Sequence, residues 1–317
     1  MHTATIGTMQ SRERRIAFAQ GVWRLVDPKI ALASLVPFIV GTAIAHDQGS
    51  VIDPLILTGV FAAIFLVEIG KNAINDLIDY RSGADLAVSE DERSPFSGGK
   101  RVLVDALLTE HDLAGIAWFA MIAAGALGGA MAMRADKPAL LLLGAAAAAI
   151  AAAYSLPPFK LSYRGLGETA VFLTYGPGIV IGSVLLFGGR VTLDVLTTAV
   201  CLGLLIAGVL FINEVPDERA DRSAGKRTLV VRLGRDTATT VFGVIAAAAF
   251  ALPVVVFAMG GSVVLLGLLA AVIPADYAVW SLHKERVRPP VAAQTAMLAA
   301  YVVAGAGVVF MLWLASI

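Results

Sequence analysis

Nine apolar runs, each close to the length needed to cross a bilayer, constrain this 317-residue chain more than any other feature. They fall near 30–46, 53–78, 112–133, 138–155, 168–188, 193–215, 236–258, 262–281 and 292–316. A hydrocarbon core takes roughly 20 apolar residues per helix. Lipid cannot hydrogen-bond an open backbone, so spanning segments must be helices or closed barrels. A barrel strand alternates polar and apolar residues, and Leu140 to Ala153 does not. Composition agrees: 58% of residues are hydrophobic and 15% charged, with mean hydropathy +0.81. Soluble domains have roughly 45–50% and about 25%. The expected fold is an all-α, polytopic membrane bundle of about nine helices around a central cavity, one domain over 1–317. Small residues such as those from Gly144 to Ala153 suit close helix packing.

The basic residues orient the runs. With the N-terminus inside, segments 1–29, 79–111, 156–167, 216–235 and 282–291 face the cytoplasm and hold 20 of the 24 Lys and Arg. This asymmetry predicts a cytoplasmic N-terminus, an outer C-terminus, and an integral protein of a bacterial or archaeal cell membrane. The first 29 residues lack an apolar signal core and read as a cytoplasmic lead-in. The inner loops are long and the outer ones short, which places function on the inner face. Formal net charge is zero, and nucleic acid is not an expected partner. One cysteine, Cys201, and four scattered histidines exclude a disulfide framework and a thiolate or imidazole metal site.

Two inner loops open with matched acidic constellations. The first runs Asn72-Ala-Ile-Asn75-Asp76-Leu-Ile-Asp79 and on through Gly83 to Asp85. At helical spacing Asn72, Asp76 and Asp79 share a face. Gly83 is a predicted C-cap that lets Asp85 fold back toward that face. The second places Asn213, Asp217 and Asp221 on one face, followed by Arg222, Lys226 and Arg227. Oxygen donors without His or Cys suit Mg²⁺, which is usually held by one or two carboxylates plus substrate phosphates. Two such helix ends can hold a diphosphate between two Mg²⁺ ions, with basic side chains completing the charge balance. The competing readings are solvated loop charges and the cation site of a transporter, although transporter sites lie nearer mid-membrane. The repeated Asn-x-x-x-Asp spacing is consistent with a duplicated four-helix unit, roughly 30–165 and 168–281, plus a ninth helix.

These motifs resemble the UbiA superfamily of intramembrane prenyltransferases. NDLIDYRSGAD, Asn75 to Asp85, is similar to the family's NDxxDxxxxxD signature, and DERADRSAGKRTLVVRLG, Asp217 to Gly234, to its DxxxDxxxGKRTLxVxLG. Tyr154 to Glu168, YSLPPFKLSYRGLGE, resembles a third family stretch. KIALASLVPFIVG from Lys29, together with YRGLGE, looks closest to the menaquinone branch, while Leu156-Pro157-Pro158 and the loop Glu90 to Leu103 depart from it.

The resemblance implies Mg²⁺-dependent transfer of a polyprenyl group from an allylic isoprenoid diphosphate to an aromatic acceptor. The acceptor it implies is 1,4-dihydroxy-2-naphthoate, with 4-hydroxybenzoate or another quinone or lipid precursor as the alternative. Asn72, Asp76, Asp79 and Asp85 would serve one metal, and Asn213, Asp217 and Asp221 the other. Lys226, with Lys160 and Arg164, would contact the diphosphate, and the prenyl tail would extend toward membrane lipid. Tyr154 reads either as a ring that stabilises the allyl cation or as an interfacial aromatic. Lys29 reads as a receptor for an acceptor carboxylate or as a positive-inside anchor. Lys71 reads as a substrate contact, as a snorkelling lysine, or as the partner of Glu68 one turn away. Glu168 reads as a helix-capping acid.

Overall fold

Caps and breakers in the sequence set where the helices start and stop. The computed structural model describes residues 11–96, 99–284 and 290–317, apart from the side chains of 28–30 and 91. After α1 (Ser11–Val26) and α2 (Pro28–Asp47), Asp53 caps α3 (Pro54–Ser82) by accepting from the Leu55 N–H at 2.8 Å, with Pro54 in the first turn. Gly83 ends α3 in the left-handed region at φ 84°, as its position predicts. Thr109 and Asp112 form a capping box that opens α4 (Glu110–Arg134). Then follow α5 (Leu140–Ser155), α6 (Gly167–Leu186), α7 (Leu193–Ser223), α8 (Arg235–Ala258), α9 (Val263–Lys284) and α10 (Val291–Ala315).

All nine apolar runs are helical, and the chain is all-α among the described residues. Seven helices, α3, α4 and α6 to α10, are long and apolar enough to cross a membrane. α1 and Ala31–Asp47 meet that standard as a pair bent by 44°. α5 has 16 residues, which at 1.5 Å per residue is shorter than a bilayer core about 30 Å thick. Large apolar side chains such as Phe119, Ile122, Val244, Ile273 and Phe310 point outward, as lipid-facing positions should.

α7 is the axis of the packing. Its apolar stretch is 78% buried, against 22–39% for the other six long helices. α2, α6, α8, α9 and α10 surround it and share one continuous core that includes Phe211, Phe242, Met297 and Tyr301. α3 and α4 pack as a separate pair, and α5 touches its neighbours more sparsely. A cavity of about 1000 Å³ lies between this pair and the α7 core.

Close backbone approach occurs where glycines allow it. A Cβ on Gly176 would lie 2.5 Å from the backbone of α7 at Ala199 and Gly203, and one on Gly307 would lie 2.0 Å from the Gly267 oxygen. The small residues from Gly144 to Ala153 behave differently from the sequence expectation. A Cβ on Gly144 would meet nothing within 4 Å, and Gly144, Ala147, Ala148 and Ala151 line the cavity. Their small volume leaves room for a ligand rather than bringing two helices together.

Candidate active site

α3 and α7 each deliver an Asn/Asp face to the same cavity. Asn72, Asp76 and Asp79 come from the last turns of α3, and Asn213, Asp217 and Asp221 from the last turns of α7. The left-handed turn at Gly83 returns the chain so that Asp85 joins them, 4% exposed. Lys226, Lys71 and Tyr154 also line the cavity. Lys160 and Arg164 are not brought to it. Lys160 Nζ lies 4.6 Å from the centre of the Tyr163 ring, and Arg164 donates to the Pro158 carbonyl at 2.7 Å. The Lys29 side chain lies outside the described residues.

Lys226 joins the two faces. Its ammonium is 3.2 Å from Asp79 Oδ2 and 3.5 Å from Asp221 Oδ1. Burial works to lower the Lys226 pKa, but the facing carboxylates of Asp221 and Asp79 overcome it and hold the value well above that of an ordinary lysine. Asp79 also accepts from the Tyr163 hydroxyl at 2.8 Å and from the Asn75 amide at 3.1 Å. Asn75 in turn accepts from Ser155 at 3.0 Å, which ties α3 to α5. Burial, reinforced by the Asp76 and Asp79 carboxylates, pushes Asp85 up to about 9.

Asp76 has a second task that its spacing does not announce. Oδ1 accepts the backbone N–H groups of Lys100 and Arg101 at 2.8 and 3.0 Å, and Oδ2 accepts that of Val102 at 3.1 Å. The segment after Gly99 is therefore pinned over the end of α3. Lys100 pairs with Asp27, and Arg219 on α7 donates to Glu92 and Ser89, each at 3.0 Å. Val102, Leu103 and Leu108 bury against Leu25 and Leu113. This loop forms a packed cover over the polar end of the cavity.

The donor set suits a hard cation. Asn213 Oδ1 and Asp85 Oδ2 are buried without a hydrogen-bond partner, and such orphaned acceptors are costly unless a ligand completes them. Among the described residues no three His, Cys, Asp or Glu side chains gather into a closed metal cage. The open oxygen-lined walls instead match an ion that keeps waters and is shared with substrate phosphate. Asn72, whose amide donates to the Leu25 carbonyl at 2.9 Å, is fixed in place by that bond.

Deeper among the helices sits a second polar group. Glu68 accepts from the Tyr175 hydroxyl at 2.7 Å and from Ser34, and pairs with Lys71 at 2.6 Å. The Glu68–Lys71 pair follows from one-turn spacing, whereas Tyr175 and Ser34 come from other helices and carry no local signal. Tyr175 sits in a π-helical turn, Thr174–Gly178, at Pro177, where the regular ladder is interrupted. Glu168 does lie in the first turn of α6, but its side chain makes no capping bond.

Comparison with known proteins bears on the family and the fold. The sequence profile of the UbiA prenyltransferase family matches residues 34–300. The 1,4-dihydroxy-2-naphthoate octaprenyltransferase of Escherichia coli (strain K12) is 31% identical over 228 residues, 70% of this chain and 71% of that one. The chloroplastic 2-carboxy-1,4-naphthoquinone phytyltransferase of Arabidopsis thaliana is 28% identical over 235 residues, 71% of this chain but 58% of its own length, less than two thirds. Among solved structures, a UbiA homolog from Aeropyrum pernix K1 gives a TM-score of 0.66 at 21% identity, covering 89% of this chain and 97% of that one. A UbiA homolog from Archaeoglobus fulgidus bound to DMAPP and Mg²⁺ gives 0.64 at 18% identity, covering 91% and 99%. At these identities the structural likeness speaks for the fold.

Proposed function

The chain belongs to the UbiA prenyltransferase family, and from that premise we propose that it transfers a polyprenyl group from an allylic diphosphate to 1,4-dihydroxy-2-naphthoate, with Mg²⁺ as cofactor. The observation that carries this reading is the pair of Asn/Asp helix ends that face one cavity and are bridged by Lys226. The Escherichia coli relative supports the acceptor, and the Archaeoglobus fulgidus homolog, bound to DMAPP and Mg²⁺, supports donor and cofactor. The active face is proposed to be cytoplasmic, because the loops bearing Asp85 and Lys226 belong to the set of segments that together hold 20 of the 24 Lys and Arg.

When bound, Mg²⁺ supplies charge neutralisation on the diphosphate oxygens; Asn72, Asp76, Asp79 and Asp85 on one side and Asn213, Asp217 and Asp221 on the other are the residues to hold it. The chain's own groups do the rest. Lys226 releases its carboxylate contacts to donate to a phosphate oxygen as the allylic C–O bond breaks. The apolar walls around Ala148, Ala151 and Ile179 exclude water from the allyl cation. Tyr154 lines the same cavity, and its ring can stabilise that charge. An electron-rich ring carbon of the acceptor then forms the C–C bond and loses a proton or CO₂.

The test is product formation by the purified protein in lipid nanodiscs with geranylgeranyl diphosphate and Mg²⁺. Prenylated naphthoate should form at least tenfold faster than prenylated 4-hydroxybenzoate. The reverse preference would move the chain to another acceptor while leaving the donor chemistry in place.

A further inference from the structure

Two buried carboxyl groups, one lining this cavity and the other beside the first, take no part in the chemistry derived so far. Glu168 is 5% exposed, and no N–H or hydroxyl donor among the described residues reaches either of its carboxyl oxygens. Glu214, 7% exposed, lines the cavity, and its Oε2 is likewise without a partner. The two groups lie within hydrogen-bonding reach of each other, and both are near the Tyr154 hydroxyl. A proton held between the two carboxyl groups satisfies at most one oxygen of each, and the buried oxygens that remain are an unfilled requirement, since native interiors pair nearly all such groups.

The chemistry of that requirement restricts the ligand. Carboxylates accept, so the missing group must donate. A diphosphate repels two carboxyl groups and has few protons to give. An isoprenoid chain has none. A ring hydroxyl on a flat aromatic molecule meets both conditions, because it donates to the carboxylate while its ring lies beside Tyr154 and small apolar residues such as Ala151 and Val171.

Building on the prenyltransferase reading above, we propose that Glu214, held by Glu168, recognises a ring hydroxyl of the aromatic acceptor. Glu214 touches the substrate, and Glu168 is a positioning residue behind it. The contact fixes which ring carbon faces the allyl cation, and the accepted hydrogen bond raises electron density on the ring. This wall therefore selects hydroxylated acceptors over their ethers.

The test measures binding, so it works even where turnover is lost. Protein in nanodiscs is loaded with Mg²⁺ and a non-hydrolysable thio-analogue of the prenyl diphosphate. Dihydroxynaphthoate and its two mono-O-methyl ethers are then titrated into wild type, Glu214→Gln and Glu168→Gln. In wild type one ether should bind roughly 10- to 100-fold more weakly than the parent, the size expected for losing a hydrogen bond to a charged group. In Glu214→Gln that discrimination should shrink to about threefold or less, and Glu168→Gln should reduce it in part. A merely structural role for the pair would weaken all three ligands alike. Equal binding of parent and ethers by wild type, or discrimination unchanged in both variants, overturns the proposal. Binding of the donor analogue with no binding of any naphthoate instead counts against the acceptor reading on which it rests.

Discussion

Replacing Lys226 by Met should make the protein depend on Mg²⁺ for its stability. The ammonium lies 3.2 Å from Asp79 and 3.5 Å from Asp221, and the three side chains are at most 14% exposed. At an effective dielectric of about 20, each contact is worth about 5 kcal/mol of Coulomb energy. Desolvation of all three charges offsets much of this sum. Removing one partner, however, leaves the carboxylates buried and uncompensated, which costs roughly 3–5 kcal/mol. Met conserves the length of the stem, so lost packing contributes little. In EDTA the thermal midpoint of Lys226→Met should fall below that of wild type. Saturating Mg²⁺ should restore most of the difference, because the same carboxylates gain a divalent partner. By linkage, Mg²⁺ should then bind the folded variant more tightly than wild type when no substrate is present. The assay is a thermal unfolding series against Mg²⁺ concentration in detergent. Equal Mg²⁺ stabilisation of variant and wild type would refute the reasoning, since Lys226 and the ion would not then compete for the same carboxylates.

Three other outcomes follow from the same geometry. Asp217→Ala should cut Mg²⁺-dependent turnover by roughly 100-fold or more while the protein remains folded, by comparison with the loss of one key electrostatic group elsewhere; steady-state kinetics and circular dichroism check both halves. Asp76→Ala should also free the cover, because three backbone N–H groups lose their acceptor; limited proteolysis should then cut between Gly99 and Leu108 faster than in wild type. Gly176→Val should disturb the α6–α7 contact, since a Cβ there lies 2.5 Å from backbone, and overpacking costs about 1–3 kcal/mol or more; a lower unfolding midpoint is expected.

Much of this arrangement is legible in the sequence because it is local. Run length marks the helices, and Gly83 both ends α3 and turns Asp85 inward. The i, i+4 spacing sets Asn72 with Asp76 and Asn213 with Asp217. One-turn spacing pairs Glu68 with Lys71. What sequence reasoning misses is set by contacts between distant segments. Tyr163 reaches Asp79 from the loop after α5, and Tyr175 reaches Glu68 from an interrupted turn of α6. Backbone donors at Lys100, Arg101 and Val102 have no side-chain signature, so the role of Asp76 in holding the cover is invisible in the pattern. Lys160 and Arg164 show the converse: they are basic and lie in a motif, yet neither lines the cavity, Lys160 lying over the Tyr163 ring and Arg164 donating to the Pro158 carbonyl. Glu168 sits where a capping acid would, and only the packing of α6 against α7 brings it to Glu214.

The central claim is that the α3 and α7 faces act together on one diphosphate. Diphosphate release from geranylgeranyl diphosphate by the purified protein, measured with dihydroxynaphthoate present and with Mg²⁺ added or chelated, tests it most directly. The account predicts release with Mg²⁺, none above background in EDTA, and loss of release in both Asp79→Ala and Asp217→Ala. Release that persists in EDTA, or that survives at a near-normal rate in either variant, would contradict it.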